Sequence, residues 1–264
     1  KSTMSYYLAG IVAGENGGTI ELGDFEGLSR EYLSRAVSMA QSSKPIKVRI
    51  VPITEGSGKN IKPSSAENML TVLRDRFSEE GSGVAIMDSV SAIVPTSELE
   101  GEISDAVVGK RAQIVARFMR SMIMWLRNKE RPGNVFIVNH LFGIIGGRGS
   151  ITAGGESVKN LPAVRIRLQP IEKEDDGSMV VGGSVEKLRF RSNESGPKQF
   201  KFFSRPGYGV HAGLSAVLDC IDQGKAKKDR TVTMGSKSYG YFSKLVEQAD
   251  DLDLFVPFVE ALKK

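Results

Sequence analysis

The chain has 264 residues, 40% hydrophobic and 25% charged, which suits one large α/β domain with a small appendage and is ordinary for a globular protein in water. No apolar run is long enough to span a bilayer, no signal peptide opens the chain, and the single cysteine, Cys220, leaves no internal disulfide; a membrane protein or a disulfide-stapled secreted domain is therefore not expected. The 36 basic and 31 acidic residues leave a net charge of +5, compatible with a polyanionic partner but too mild to demand one.

Residues 2–13 read as a helix with Met4, Leu8, Ile11 and Val12 at helical spacing. Lys1-Ser2 in front of it matches the end of a Gly-Lys-Ser/Thr P-loop, where the lysine reaches the β/γ-phosphates and the hydroxyl holds magnesium. That reading expects upstream residues that carry the motif's glycines. Residues 19–26 read as a strand ending in Asp24 and Glu26. An acid at the carboxyl end of a strand is where α/β sheets present functional groups, although a surface glutamate opening a helix fits Glu26 as well. Residues 29–39 follow as a helix with Leu33, Ala36 and Val37 inward and Tyr32 near its start. Residues 46–53 read as a strand, 55–65 as a polar loop, and 66–77 as a helix carried by Met69, Leu70 and Leu73.

The chain is organised around the next stretch. Val84-Ala85-Ile86-Met87 is an apolar run that leads straight into Asp88-Ser89. Such a run reads as a strand buried on both faces of a parallel sheet. A carboxylate at its end is costly without a partner, and in nucleotide-binding α/β proteins that partner is a hydrated magnesium ion beside phosphates. A strand that merely closes in an Asp-Ser turn remains the plainer alternative. Residues 98–105 hold four acids and read as an exposed loop, before a long amphipathic helix over 106–129. Val107, Val108, Ile114, Val115, Phe118, Met122 and Trp125 form the apolar side of that helix, and its cations include Arg111, Arg117 and Arg120. Residues 134–138 are a further buried strand closed by Asn139-His140, and 141–155 hold six glycines, a mobile loop. Beyond it, 156–160 starts a short helix and 163–168 is a strand. Hairpins are expected at 168–171 with 178–181 and at 185–191 with 198–203, and helices over 213–221, 239–249 and 254–262.

Taken together, Met87-Asp88-Ser89-Val90-Ser91-Ala92, Glu98-Leu99-Glu100-Gly101-Glu102-Ile103-Ser104-Asp105, Val138-Asn139-His140, and Thr152-Ala153-Gly154-Gly155-Glu156-Ser157-Val158-Lys159 with Val164-Arg165-Ile166 resemble the RecA recombinase family in order and spacing. Asp24-Phe25-Glu26 with Tyr32 also fits. His140, after Asn139, is similar to phage UvsX-like members. The resemblance covers residues 1–220. It implies a RecA-like P-loop ATPase core, a mainly parallel sheet flanked by helices with antiparallel hairpins toward the C-terminal side, and a small helical segment over 221–264. Within that core it implies an ATP and Mg2+ site. Lys1, Ser2 and Thr3 would contact the nucleotide, Ser2 ligate the metal and Asp88 hold it through water, and Tyr32 stack on adenine. Glu26 would orient or deprotonate the attacking water. Asn139 and His140 would lie at the γ-phosphate, His140 signalling its presence to the glycine-rich loop. Arg189 and Arg191 are the expected cations acting from a neighbouring protomer.

The same resemblance implies single- and double-stranded DNA as partners. Contacts are expected from Arg111, Arg117, Arg120 and Arg148, from Phe142 and Ile144 as apolar wedges, and from Gly154 and Gly155 as the amide-bearing start of a helix. It further implies a homo-oligomeric helical filament, single-strand-binding and loader proteins as companions, and a bacterial, possibly phage-encoded, cytoplasmic setting. Two other readings stay open at this point: a hexameric RecA-fold helicase or regulatory ATPase, and a mediator or paralogue that keeps the fold without turnover.

Overall fold

A computed structural model describes every residue except 17, 29, 39–43, 80–81, 103–108, 128–132, 144–149, 190–198 and 264. The described residues fall into two compact units, Lys1–Pro162 and Ala163–Lys264.

The first unit runs α1 (Ser2–Asn16), β1 (Thr19–Asp24), α2 (Arg30–Ser38), β2 (Lys47–Ile50), a small hairpin β3 (Thr54–Glu55) and β4 (Lys62–Pro63), α3 (Ala66–Ser78), β5 (Ser82–Asp88), α4 (Thr96–Leu99), α5 (Lys110–Leu126), β6 (Asn134–Ile137), the hairpin β7 (Leu141–Gly143) and β8 (Ser150–Thr152), and α6 (Ser157–Asn160). Its main sheet has the order β2-β1-β5-β6, and every pairing in it is parallel. The apolar run of β5 explains the layering. Val84 and Ile86 join the core under α1 and α2, with Tyr6, Ala9, Leu33 and Val37. Ala85 and Met87 point the other way, into the core beneath α3 and α5 with Leu70, Leu73, Phe118 and Met122. A strand buried on both faces has no polar side, so its sequence reads as continuous rather than alternating. Registers Asp24↔Asp88 and Met87↔Ile137 bring the carboxyl ends of β1, β5 and β6 side by side.

Several expectations are corrected here. β1 stops at Asp24 rather than Glu26. The Asp24 carboxylate accepts from the backbone N–H groups of Glu26, Gly27 and Leu28 at 3.2, 2.9 and 2.8 Å, which folds the chain into a turn at that point. The stretch 55–65 is not wholly a loop, since Thr54–Glu55 pairs with Lys62–Pro63 as the β3–β4 hairpin, and 96–99 form a helical turn. The segment 141–155 is not wholly a loop: Leu141↔Thr152, Phe142↔Ile151 and Gly143↔Ser150 pair as an antiparallel hairpin. Trp125 is not part of the buried side of α5 but half exposed beside Met124 and Leu126. Residues 103–108 of the acidic loop and helix start lie outside the described residues.

The second unit has its own core. β9 (Val164–Lys173), β10 (Met179–Leu188), β11 (Gln199–Arg205) and β12 (Gly209–Val210) form an antiparallel sheet in the order β12-β11-β10-β9. The two expected hairpins share one long strand: β10 pairs with β9 on one side and β11 on the other. Then come α7 (Ala212–Asp222), a three-stranded sheet of β13 (Lys227–Lys228), β14 (Val232–Met234) and β15 (Lys237–Ser238), α8 (Phe242–Glu247) and α9 (Val256–Leu262). Phe203 of the sheet, Leu214 and Val217 of α7, Leu245 of α8 and Phe258 of α9 lie in one core. The boundary expected at residue 220 therefore falls inside α7, within the second unit, because α7 buries its apolar face against both the sheet and the last helices.

Candidate nucleotide site

The site is built where β1, β5 and β6 end. Asp88 closes β5 and is wholly buried. The Tyr6 hydroxyl donates to its Oδ2 at 2.6 Å, with the Ser2 side chain nearby. Its Oδ1 has no hydrogen-bond partner among the described residues. Burial pushes the Asp88 carboxyl above its ordinary value, with the Tyr6 bond and the Ser2 side chain pulling it down and the charges of Glu26 and Asp24 pushing it further up. Burial, reinforced by Asp88, drives the Tyr6 phenol far up as well, so Tyr6 stays a donor.

Glu26 sits in the turn just past β1. Its Oε1 accepts from Ser89 Oγ at 2.5 Å and lies 3.1 Å from His140 Nε2. Ser89 Oγ is itself 2.8 Å from Ser91 Oγ. The chain around Asp88 is fixed to both neighbouring strands: Phe25 N donates to Asp88 O, and Val90 N to Val138 O. The peptide bond between Asp88 and Ser89 is cis. Asn139 Oδ1 accepts from His140 N at 2.8 Å, and its Nδ2 donates to Ala153 O at 2.8 Å. The end of β6 is thereby tied directly to the residues after β8. Lys1 is exposed, yet partial desolvation lowers its side-chain amine, with the nearby Glu26 charge acting the other way. Tyr32, near the start of α2, is bonded through its hydroxyl to Thr3 Oγ1.

The structure thus brings together Ser2, Asp88, Glu26 and His140, with Asn139 beside them and Thr3 joined to Tyr32. It also adds groups that sequence reasoning missed. Tyr6 lies four residues after Ser2 on α1, so both face the end of β5; that spacing was the available signal. Ser89 and Ser91 stand in the sequence only as part of the motif around Asp88, with no role of their own. Among the described residues no three or more His, Cys, Asp or Glu side chains form a dedicated metal cage. A magnesium held by one or two protein oxygens plus phosphates needs none, and the buried, unpartnered Asp88 Oδ1 beside Ser2 suits such an ion.

The expected DNA contacts fare unevenly. Arg117 and Arg120 are exposed on α5. Arg111 is partly engaged: its Nε donates to Ile93 O at 3.2 Å, and its guanidinium lies 3.7 Å from Glu98. Phe142 is 48% exposed opposite Ile151 at 55%, an apolar cross-strand pair on the hairpin that was only half anticipated. Gly155 is exposed, but Gly154 is buried, and a Cβ there would lie 2.7 Å from Val90 Cγ1. The fold leaves no room for a side chain at Gly154, whatever its amide contacts. Glu156 is paired with Lys159 at 2.7 Å. Ile144, Arg148 and Arg191 lie outside the described residues. Arg189, just past β10, donates its backbone N–H to Ala163 O at 2.8 Å.

Fold and site together define a parallel α/β protein whose acids gather at the carboxyl ends of adjacent strands, the layout of nucleotide-binding folds. The RecA N-terminal domain description matches residues 60–201, more than half of the chain. Over 171 residues, 63% of the chain, it is 29% identical to Protein RecA of Chlorobium limicola, covering 48% of that protein. It is likewise 29% identical over 171 residues to Protein RecA of Mycobacterium ulcerans, covering 49% of it. The chain spans about half the length of the curated relatives it matches. The chain belongs to the RecA family. Among the described residues no helix is long and apolar enough to cross a membrane.

Proposed function

We propose that this chain is the ATP-hydrolysing part of a recombinase that assembles as a helical filament on single-stranded DNA and promotes homologous pairing and strand exchange. One observation carries the reading: Glu26 Oε1 is held at once by Ser89 at the end of β5 and His140 at the end of β6. A carboxylate pinned in this way is oriented to position a water, or to take its proton, as phosphoryl transfer requires. Ser2 and Asp88 would hold magnesium, which neutralises phosphate charge when bound. Lys1 would reach the phosphates, and Thr3, with Tyr32 beside it, would lie on the nucleoside side. His140 would link the phosphate end of the site to the β7–β8 hairpin, because Asn139 next to it grips Ala153. Through that connection, nucleotide state and DNA contact would be read by one segment.

On the DNA side, Arg117 and Arg120 offer phosphate contacts, and Phe142 with Ile151 offers an apolar pair to sit against bases. Phosphate contacts give affinity without sequence choice. Arg189 is kept as the candidate cation acting from the next protomer. The reading brings double-stranded DNA as a second substrate and the bacterial cytoplasm as the place of action. Negative-stain electron microscopy of the protein with ATP, Mg2+ and single-stranded DNA tests it. Open helical filaments, coupled to strand exchange between homologous DNAs, are expected, since a head-to-tail contact that does not close gives a helix. Closed rings would overturn the reading in favour of a helicase-type ATPase.

A further inference from the structure

We infer that Tyr6 is a positioning residue for the metal-binding carboxylate, holding Asp88 so that its second oxygen faces the ion. The inference rests on the nucleotide reading above and adds a residue to it. The Tyr6 ring is 0% exposed and packs among apolar residues that include Ala9, Ile20, Leu22 and Val84. For that packing a phenylalanine would serve as well, and burying a hydroxyl costs free energy unless it is bonded. Its acceptor among the described residues is Asp88 Oδ2, at 2.6 Å, the short distance of a bond to an ionised group.

A carboxyl group turns easily about its last torsion. Holding Oδ2 from below fixes that torsion and leaves Oδ1, buried and unpartnered, as the oxygen presented. Ser2, four residues earlier on the same helix face, lies near the same carboxylate. α1 would thus carry both Ser2, the candidate hydroxyl ligand, and Tyr6, the group that orients Asp88. Second groups of this kind, bonded to a metal ligand, typically change metal affinity ten- to a hundredfold when removed.

The test is binding of a fluorescent ATP analogue to the purified full chain, in MgCl2 and in EDTA, for wild type, Tyr6→Phe, Asp88→Asn and the double variant. Tyr6→Phe keeps the ring that fills the core, and cooperative unfolding in urea verifies its fold. The expected result is about tenfold weaker binding in MgCl2 for Tyr6→Phe, unchanged binding in EDTA, and no added effect of Tyr6→Phe in the Asp88→Asn background. A purely structural role would weaken binding equally in both media; that result, or wild-type affinity in MgCl2, would overturn the inference and leave the nucleotide reading standing. If wild type and Asp88→Asn bind alike with and without magnesium, the nucleotide reading itself fails and the inference with it.

Discussion

His211 makes the stability of the second unit depend on pH, and the sign follows from its two ring nitrogens. Nδ1 accepts from Leu214 N at 3.0 Å, capping α7, while Nε2 lies 2.8 Å from Ala249 O and donates to it. Both bonds together require the neutral ring with its proton on Nε2; a proton on Nδ1 would replace the cap by two facing donors. The ring is 7% exposed and packs edge-on against Phe255. Desolvation lowers its pKa below the ordinary 6.5; the bond to Ala249 and the charge of Asp250 act upward, and Arg205 acts downward. Arg205 and Asp250 are themselves paired at 2.9 Å, so their fields on the ring largely cancel. Between the lowered folded value and 6.5 the unfolded chain binds more protons than the folded one, so stability falls as pH drops below about 6.5. One proton gives a slope of at most about 1.4 kcal/mol per pH unit, against a typical total of about 5–15 kcal/mol. Urea unfolding at half-unit steps from pH 7.5 to 5 measures it, with His211→Asn as reference, since asparagine still caps a helix but does not titrate. Wild type is expected to lose stability relative to the variant below pH 6.5. Parallel profiles for the two proteins would refute the reasoning.

Ser89→Ala removes the hydroxyl that grips Glu26; kcat for ATP hydrolysis is expected to fall on the order of tenfold with nucleotide affinity unchanged, as separate measurements of turnover and binding would show. Gly154 has φ +83° and no room for a methyl group beside Val90 and Val158. Gly154→Ala is therefore expected to cost about 1–3 kcal/mol in urea unfolding, whereas Gly109→Ala, with φ +78° but open space around it, is expected to cost less.

Much of this arrangement was legible in the sequence because it rests on local chemistry. The unbroken apolar run before Asp88 could be read as a strand buried on both faces, and the acids at strand ends as a shared site. Sequence also placed Glu26 and His140 at strand ends, but not that one carboxylate oxygen receives both Ser89 and His140, since that depends on register between three strands. Tyr6 was hidden for a related reason. It lies outside the apolar spacing of Met4, Leu8, Ile11 and Val12, and only the packing of α1 on β5 buries its ring and gives its hydroxyl a partner. The extent of β1 was misjudged because Asp24 spends its carboxylate on three backbone amides, a competition between turn and strand that periodicity does not display. Gly154 looked like a loop glycine, but its need is also steric and comes from Val158, four residues on, and above all from Val90, which is distant in sequence.

The most direct test of the central claim is ATP hydrolysis with and without single-stranded DNA, for wild type and Asp88→Asn. The account predicts wild-type turnover that rises severalfold with DNA, a stimulation that weakens as salt is added, and no turnover in the variant. Turnover indifferent to DNA, or retained in Asp88→Asn, would contradict it.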